Sequence, residues 1–307
     1  MYQKSKQFIN TIFVICKYSM TKKFLKRRTL KKLNCNPNIV GKSISNDSCY
    51  TKKVIRTIKR AYNKKNISQK IVSMNDQSIY NELTEKLNKC NDESCWLEEL
   101  DDSQRKEITK NSFTPYKPTE WQKNPVEWLS NFDILDVLKQ YEEKYNDFKF
   151  IGPTPIDFNA TPGNDGKCVW QELCAFQLQK YKDSGFNNIG VIFNLDKHDQ
   201  GGSHWVSLFI SVKDNLIYYF DSAANEIPIE IKNFVQLVSS QSRTKMVFLT
   251  NVPHQHQYGN TECGMYSLYF IITMLDEKIT KRRKINIFSK KRLNDKFIQT
   301  FRNKFFN

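Results

Sequence analysis

The 307-residue sequence has no unbroken apolar run of about 20 residues, so no segment reads as a membrane-spanning helix. Its eight cysteines are too sparse in a chain this long for a disulfide scaffold, and no secretory context accompanies them. A reduced, cytosol-like compartment is therefore the default expectation. Histidine is scarcer still, with four copies: His198, His204, His254 and His256. Any chemistry that needs an imidazole has few places to go. Acidic residues are nearly missing from the first quarter, where residues 1–75 hold one acid, Asp47, against 19 Lys and Arg. No internal repeat is visible.

What is present describes a globular protein: 39% hydrophobic, 13% aromatic and 26% charged residues are too apolar for a wholly disordered chain. The net charge of +16 would suggest nucleic acid as a partner. The excess lies at the two ends, however, and residues 76–260 carry 27 acids against 18 basic residues. Residues 8–16 (FINTIFVIC) form a short apolar run behind Lys4 and Lys6. It is broken by Asn10 and Thr11, and no small-residue cleavage site follows, so a dispensable leader or buried turn fits better than a signal peptide. Met20 is an alternative start.

The hydrophobic period organises the chain into a basic leader (1–30), a helical N-terminal arm (31–110) and a larger second domain (111–307). In the arm, residues 54–61 have helical spacing, with Ser45 to Ser48 offered as an N-cap, and 80–90 and 95–100 also read as helix. The polar, three-proline stretch 110–125 marks the boundary. Beyond it, 126–145 is helical with Ser130 or Asn131 as cap, 151–167 reads as Pro/Gly/Asn-rich loop, and 168–182 as helix. Strands are expected at 189–195, 204–212, 216–220 and 246–250, with Lys213-Asp214-Asn215 as a hairpin turn. Helices are expected at 227–239 and 263–275, and a basic amphipathic tail over 278–307. The fold class is α+β: a small mixed sheet of four or five strands flanked by helices.

The chemistry gathers at four positions. His204 opens a strand after the flexible Gly201-Gly202-Ser203, and Asp221 closes the partner strand, so a hairpin brings both to one sheet edge. A carboxylate beside an imidazole orients the ring and stabilises its cation. Cys263 opens an apolar helix, where the dipole favours a thiolate, and a neighbouring imidazolium favours it further. Gln257, six residues earlier, offers a side-chain amide to a developing oxyanion, as does the Cys263 N–H. Each has a plainer reading: Cys263 as a small buried hydrophobe, His204 as a satisfied core histidine. His256 competes as base but sits in a loop without a carboxylate partner. The pairs Cys90/Cys95 and Cys168/Cys174 lack a matching histidine, which makes zinc a weak reading, so no metal or cofactor is expected. The ordered set on compatible elements lifts the catalytic reading.

Gly202-Ser203-His204-Trp205, Tyr219-Phe220-Asp221-Ser222 and Gln257-Tyr258-Gly259-Asn260-Thr261-Glu262-Cys263-Gly264 resemble the SUMO-specific protease and adenovirus-protease superfamily of cysteine peptidases, with its order His, Asp, Gln, Cys. The resemblance implies His204 as general base, Asp221 as its orienter, Cys263 as nucleophile and Gln257 as oxyanion donor. Trp205 and Trp128 look like the two tryptophans that sandwich a Gly-Gly substrate in SUMO proteases, a slot too narrow for any side chain. Trp128 alone would pass for a core aromatic. Gly202 departs from the glutamine often found there in SUMO proteases. Asn46-Asp47-Ser48-Cys49, Cys90-Asn91-Asp92-Glu93-Ser94-Cys95 and Asn131-Phe132-Asp133-Ile134 resemble the African swine fever virus type of polyprotein-processing protease. That branch implies a core- or capsid-maturation protease cleaving structural polyproteins after Gly-Gly, placed in the virion or the cytoplasmic viral factory and not on a membrane. A DNA or acidic partner would sit on the basic arm. The competing classes are a deSUMOylase or deubiquitinase, and a non-enzymatic basic virion protein that binds nucleic acid.

Overall fold

The computed structural model describes residues 30–307. The basic leader, the apolar run at 8–16, Cys16 and Met20 lie outside them.

The arm is built from α1 (Lys52–Lys65), α2 (Asp76–Lys86) and α3 (Asp102–Ser112), with a 3₁₀ stretch at Glu93–Glu99. The α1 cap is Thr51, whose hydroxyl accepts from the Val54 N–H, and not the expected 45–48 segment. The α2 cap is Asn75, so that helix starts four residues before the expected 80, and α3 lies where no helix is expected. Tyr50, Ile55, Ile58, Leu83, Trp96 and Phe113 form a core separate from the rest of the chain.

Three disulfides overturn the expectation of sparse free thiols: Cys35–Cys49 and Cys90–Cys95 in the arm, and Cys168–Cys174 beyond it. The physical reason in the arm is that a core of three short helices is small, and cross-links compensate for limited burial.

After the arm, α4 (Asn131–Lys144) starts at Ser130, which makes a full capping box with Asp133. The sheet follows: β1 (Phe148–Pro155), β2 (Asn188–Asn194), β3 (Trp205–Ser211), β4 (Leu216–Phe220) and β5 (Val247–Thr250) in the spatial order of the chain. The outer pairs β1·β2 and β4·β5 are parallel and the inner pairs antiparallel, so the sheet is mixed. β1 occupies sequence expected to be loop. Gly152, Pro153 and Pro155 imitate a loop signal, but Pro is tolerated at an edge strand and the register shifts between Ile151 and Thr154.

Both sheet faces are covered. Phe209, Tyr218 and Phe220 face α4, α8 (Cys263–Leu275) and the C-terminal helices. Val206, Leu208, Ile217 and Tyr219 face α7 (Ile229–Gln241) and the short α5 (Gln171–Cys174) and α6 (Leu178–Asp183). This two-sided burial is why β3 and β4 read as unbroken apolar runs. The single helix expected at 168–182 is instead α5 and α6, broken at 175–177. The expected tail is α9 (Lys281–Ser289), α10 (Asp295–Gln299) and α11 (Arg302–Phe305), which pack Phe288, Ile298, Phe305 and Phe306 into the core. Among the described residues no helix is long and apolar enough to cross a membrane.

Candidate active site

His204 immediately precedes β3 and Asp221 immediately follows β4. Because the hairpin pairs Ser207 with Phe220, both side chains emerge at one end of the sheet. His204 Nε2 lies 2.6 Å from Asp221 Oδ1. The carboxylate is fully buried and also accepts from the Ala223 N–H at 2.8 Å and the Asn225 N–H at 3.0 Å. Asn251 secures its backbone from both sides, accepting from the Asp221 N–H at 3.0 Å and donating to its carbonyl at 2.7 Å. Such a carboxylate is oriented before any substrate arrives.

Cys263 is the only free cysteine among the described residues. It is the first residue of α8, 2% exposed, and its thiol is within hydrogen-bonding reach of the His204 ring. Burial pulls the His204 pKa down, but the hydrogen bonds to Asp221 and Cys263 and their charges outweigh it and lift the ring to about 10. The imidazolium is the preferred state at neutral pH, as a thiolate–imidazolium pair requires.

The other histidine in that region behaves differently. His256 is fully buried, its Nδ1 accepting from the Leu293 N–H and its Nε2 bonded to the Phe288 carbonyl at 2.9 Å. Burial lowers its pKa to about 4, so it is a neutral structural ring. The paired state of Cys90/Cys95 and Cys168/Cys174 occupies the thiols that a metal would need.

Gln257 is nearly buried and tied beside Asp221: its N–H donates to the Ser222 carbonyl, and its Oε1 accepts from the Ser222 hydroxyl at 2.7 Å. One Nε2 hydrogen goes to the Gly259 carbonyl at 2.8 Å. An amide carries two such hydrogens, so one is left for another acceptor.

Trp128 and Trp205 line one groove of about 600 Å³ together with Gly202. Trp205 is almost buried and donates from Nε1 to the Leu129 carbonyl at 3.2 Å, whereas Trp128 is 37% exposed at the mouth. Gly264, next to the thiol, permits the close packing behind them: a Cβ there would stand 3.1 Å from Leu129 Cβ and 3.3 Å from Trp205 Cδ1. Gly202 has φ +92°, and a Cβ would meet Asn194 Nδ2 at 2.5 Å. The departure from glutamine at this position is therefore built into the local backbone.

Sequence reading misses the supports. Ser222 and Glu262 fall inside recognisable motifs, yet nothing in their type signals a role. Asn251, Leu129 and Arg302 reach the site from distant segments with no local signal.

Residues 188–307 of the chain match the model of the Ulp1 protease family, C-terminal catalytic domain. Its relatives include proteases of large DNA viruses. A putative thiol protease of Acanthamoeba polyphaga mimivirus is 35% identical over 157 residues, 49% of this chain and 48% of that one. The chain thus aligns with about half of that relative's length. A cysteine protease of African swine fever virus (isolate Tick/Malawi/Lil 20-1/1983) is 25% identical over 265 residues, covering 80% of this chain and 89% of that one. The crystal structure of the African swine fever virus protease shares the fold, with a TM-score of 0.61 at 22% identity over 92% of this chain and 98% of that one. That coverage extends the shared architecture into the helical arm.

Proposed function

We propose that this chain is a viral cysteine endopeptidase that cleaves structural polyprotein precursors after Gly-Gly during particle maturation. The observation that supports it most is the His204–Asp221 bond of 2.6 Å with the free thiol of Cys263 within reach of the ring, while Trp205, next to His204 in sequence, lines a groove together with Trp128. Two indoles admit backbone and exclude side chains, which selects glycine on both residues before the scissile bond.

In this mechanism the Cys263 proton rests on His204 as a thiolate–imidazolium pair, and the thiolate attacks the carbonyl of the second glycine. The remaining Gln257 amide hydrogen and the Cys263 N–H receive the oxyanion. The tetrahedral intermediate collapses to a thioester as His204 gives its proton to the leaving amine. Water, deprotonated by His204, then releases the acid. The chemistry uses no metal, so chelators leave the rate unchanged while iodoacetamide abolishes it.

The exposed Lys52, Lys53, Arg60 and Lys64 of α1 support an arm that holds the enzyme on DNA or an acidic partner. The location that goes with this proposal is the virion and the cytoplasmic viral factory. The test is a panel of Gly-Gly-Xaa peptides, wild type against Cys263→Ala. Cleavage after the second glycine by wild type alone sustains the reading. Cleavage of a ubiquitin-like fusion with no peptide cleavage replaces it with a deconjugating isopeptidase. Salt-dependent DNA binding with no peptidase activity replaces it with a binding protein.

A further inference from the structure

Arg302 is 5% exposed and Glu262, to which its Nε donates at 3.0 Å, is 1% exposed. An ion pair this deep is a poor stabiliser in general, because desolvation cancels much of the attraction. Its position is more informative than its charge. Glu262 is the residue before Cys263. The two terminal nitrogens of Arg302 reach the segment before Trp128, donating to the Glu127 carbonyl at 2.8 Å and the Val126 carbonyl at 3.2 Å. Glu127 is the residue before Trp128. The guanidinium also lies over the Trp121 ring at 4.4 Å, and Trp121 Nε1 donates to the same Glu127 carbonyl at 3.1 Å. One planar group, with donors in a fixed fork, therefore ties the turn bearing the thiol to the loop bearing the exposed tryptophan.

The Trp128 segment is held besides by the Leu129 carbonyl, which accepts from Trp205 Nε1, and by the Trp128 N–H, which donates to Glu127 Oε1 at 3.1 Å. Trp205 is fixed by strand β3 and by its bond to Leu129, but Trp128 is more than a third exposed and belongs to the irregular segment before α4. We propose that Arg302 is a positioning residue that sets the Trp128 wall of the substrate slot relative to Cys263. The proposal rests on the Gly-Gly peptidase reading above and assigns that site a specificity support from the C-terminal helices. A purely structural role would cost folded protein without altering substrate affinity.

The experiment uses the full chain with a Gly-Gly-Xaa peptide and compares wild type, Arg302→Lys and the double variant Arg302→Met/Glu262→Gln. The lysine keeps the charge partner of Glu262 but cannot fork to the carbonyls. The double variant removes both buried charges together, so neither is left unpaired. Kinetic constants are measured beside active-site titration and the iodoacetamide rate at Cys263, which needs no peptide slot. The double variant is expected to raise KM about tenfold, with kcat within about threefold and the alkylation rate within about twofold of wild type. Arg302→Lys is expected to move KM the same way by a smaller factor, and it decides the matter alone if the double variant does not fold. Wild-type KM in the titrated active fraction, or a fall in kcat and alkylation at unchanged KM, overturns the proposal. A wild type that cleaves no Gly-Gly peptide overturns the functional reading itself, a result separate from any difference between variants.

Discussion

In the arm, Tyr50, Trp96 and Phe113 centre a small core closed by Cys35–Cys49 and Cys90–Cys95. In the remainder of the chain, strands β2, β3 and β4 are buried on both faces, and the thiol of Cys263 stays free at the first turn of a strongly apolar helix. The arm uses cysteine for cohesion because three short helices bury little surface. The sheet region carries one cross-link too, Cys168–Cys174 beside the groove residues Val169 and Trp170, but its remaining described thiol, Cys263, is left to react. The two regions are nevertheless joined: Gln140 of α4 donates to the Phe113 carbonyl at 2.8 Å, and Asn307 pairs with Asn34 through both side chain and backbone. On the function proposed above, chemistry belongs to one region and attachment to the other, and that division can be broken at several points.

The largest effect falls on the nucleophile. Cys263→Ala is expected to lower peptide cleavage by about 10⁴-fold or more with no loss of thermal stability. Residual cleavage near wild type, measured with inhibitors of contaminating proteases present, would move the chemistry elsewhere. Next is Asp221→Asn, with kcat expected to fall by about 10²- to 10⁴-fold. Its pH profile sharpens the argument. The folded His204 pKa, about 10, lies above the ordinary 6.5, so the protonated ring is retained through neutral pH and lost as pH rises through 10. The stabilisation linked to it is complete below pH 6.5 and disappears over the same alkaline range. With the carboxylate neutralised, the alkaline limb of kcat/KM should move toward lower pH. An unmoved limb would mean that Asp221 does not govern the ring.

How much of this is legible in the sequence depends on what each residue must do locally. The helix at 263–275 can be read outright from apolar continuity, and the cap before α4 can be narrowed to Ser130 or Asn131, of which the structure uses Ser130. The His204–Asp221 hairpin follows from β3, its turn and β4 being contiguous. β1 is hidden by prolines that an edge strand tolerates. The short helices over 281–305 are legible as amphipathic, but their burial depends on a surface made by α8 and β4, which no local pattern encodes. Arg302 is the extreme case, since its partners lie 40 and 175 residues away. Disulfide pairing escapes for a related reason: composition is weighed over the whole chain, while the need for cross-links is local to small packing units.

A third test addresses the slot itself. Gly264→Ala would push a methyl group against Leu129 and Trp205, both within 3.3 Å of the new carbon. Overpacking of this kind costs about 1–3 kcal/mol, and relief by moving Trp205 should raise KM about tenfold while leaving the His204–Asp221 pair in place. Unchanged KM with a shifted alkaline limb would instead place the strain on the triad.

The smallest expected effect on activity lies in the arm, and it tests the comparison most directly. Cys35–Cys49 closes a 14-residue separation, for which loop-closure entropy predicts about 3 kcal/mol of stabilisation. The double substitution Cys35→Ser/Cys49→Ser removes that cross-link without touching any residue of the groove or the triad. Denaturant unfolding followed by Trp96 fluorescence should show the arm weakened by about that amount, whereas kcat/KM on a short Gly-Gly peptide should change less than about twofold. The link through Asn34 and Asn307 is where a larger effect would enter, because Asn307 lies just beyond the helix that carries Arg302. A KM rise in the cross-link variant as large as that of Arg302→Lys would show that arm cohesion reaches the slot through that path. The arm would then be part of the substrate-binding apparatus, and the division between attachment and chemistry would fail.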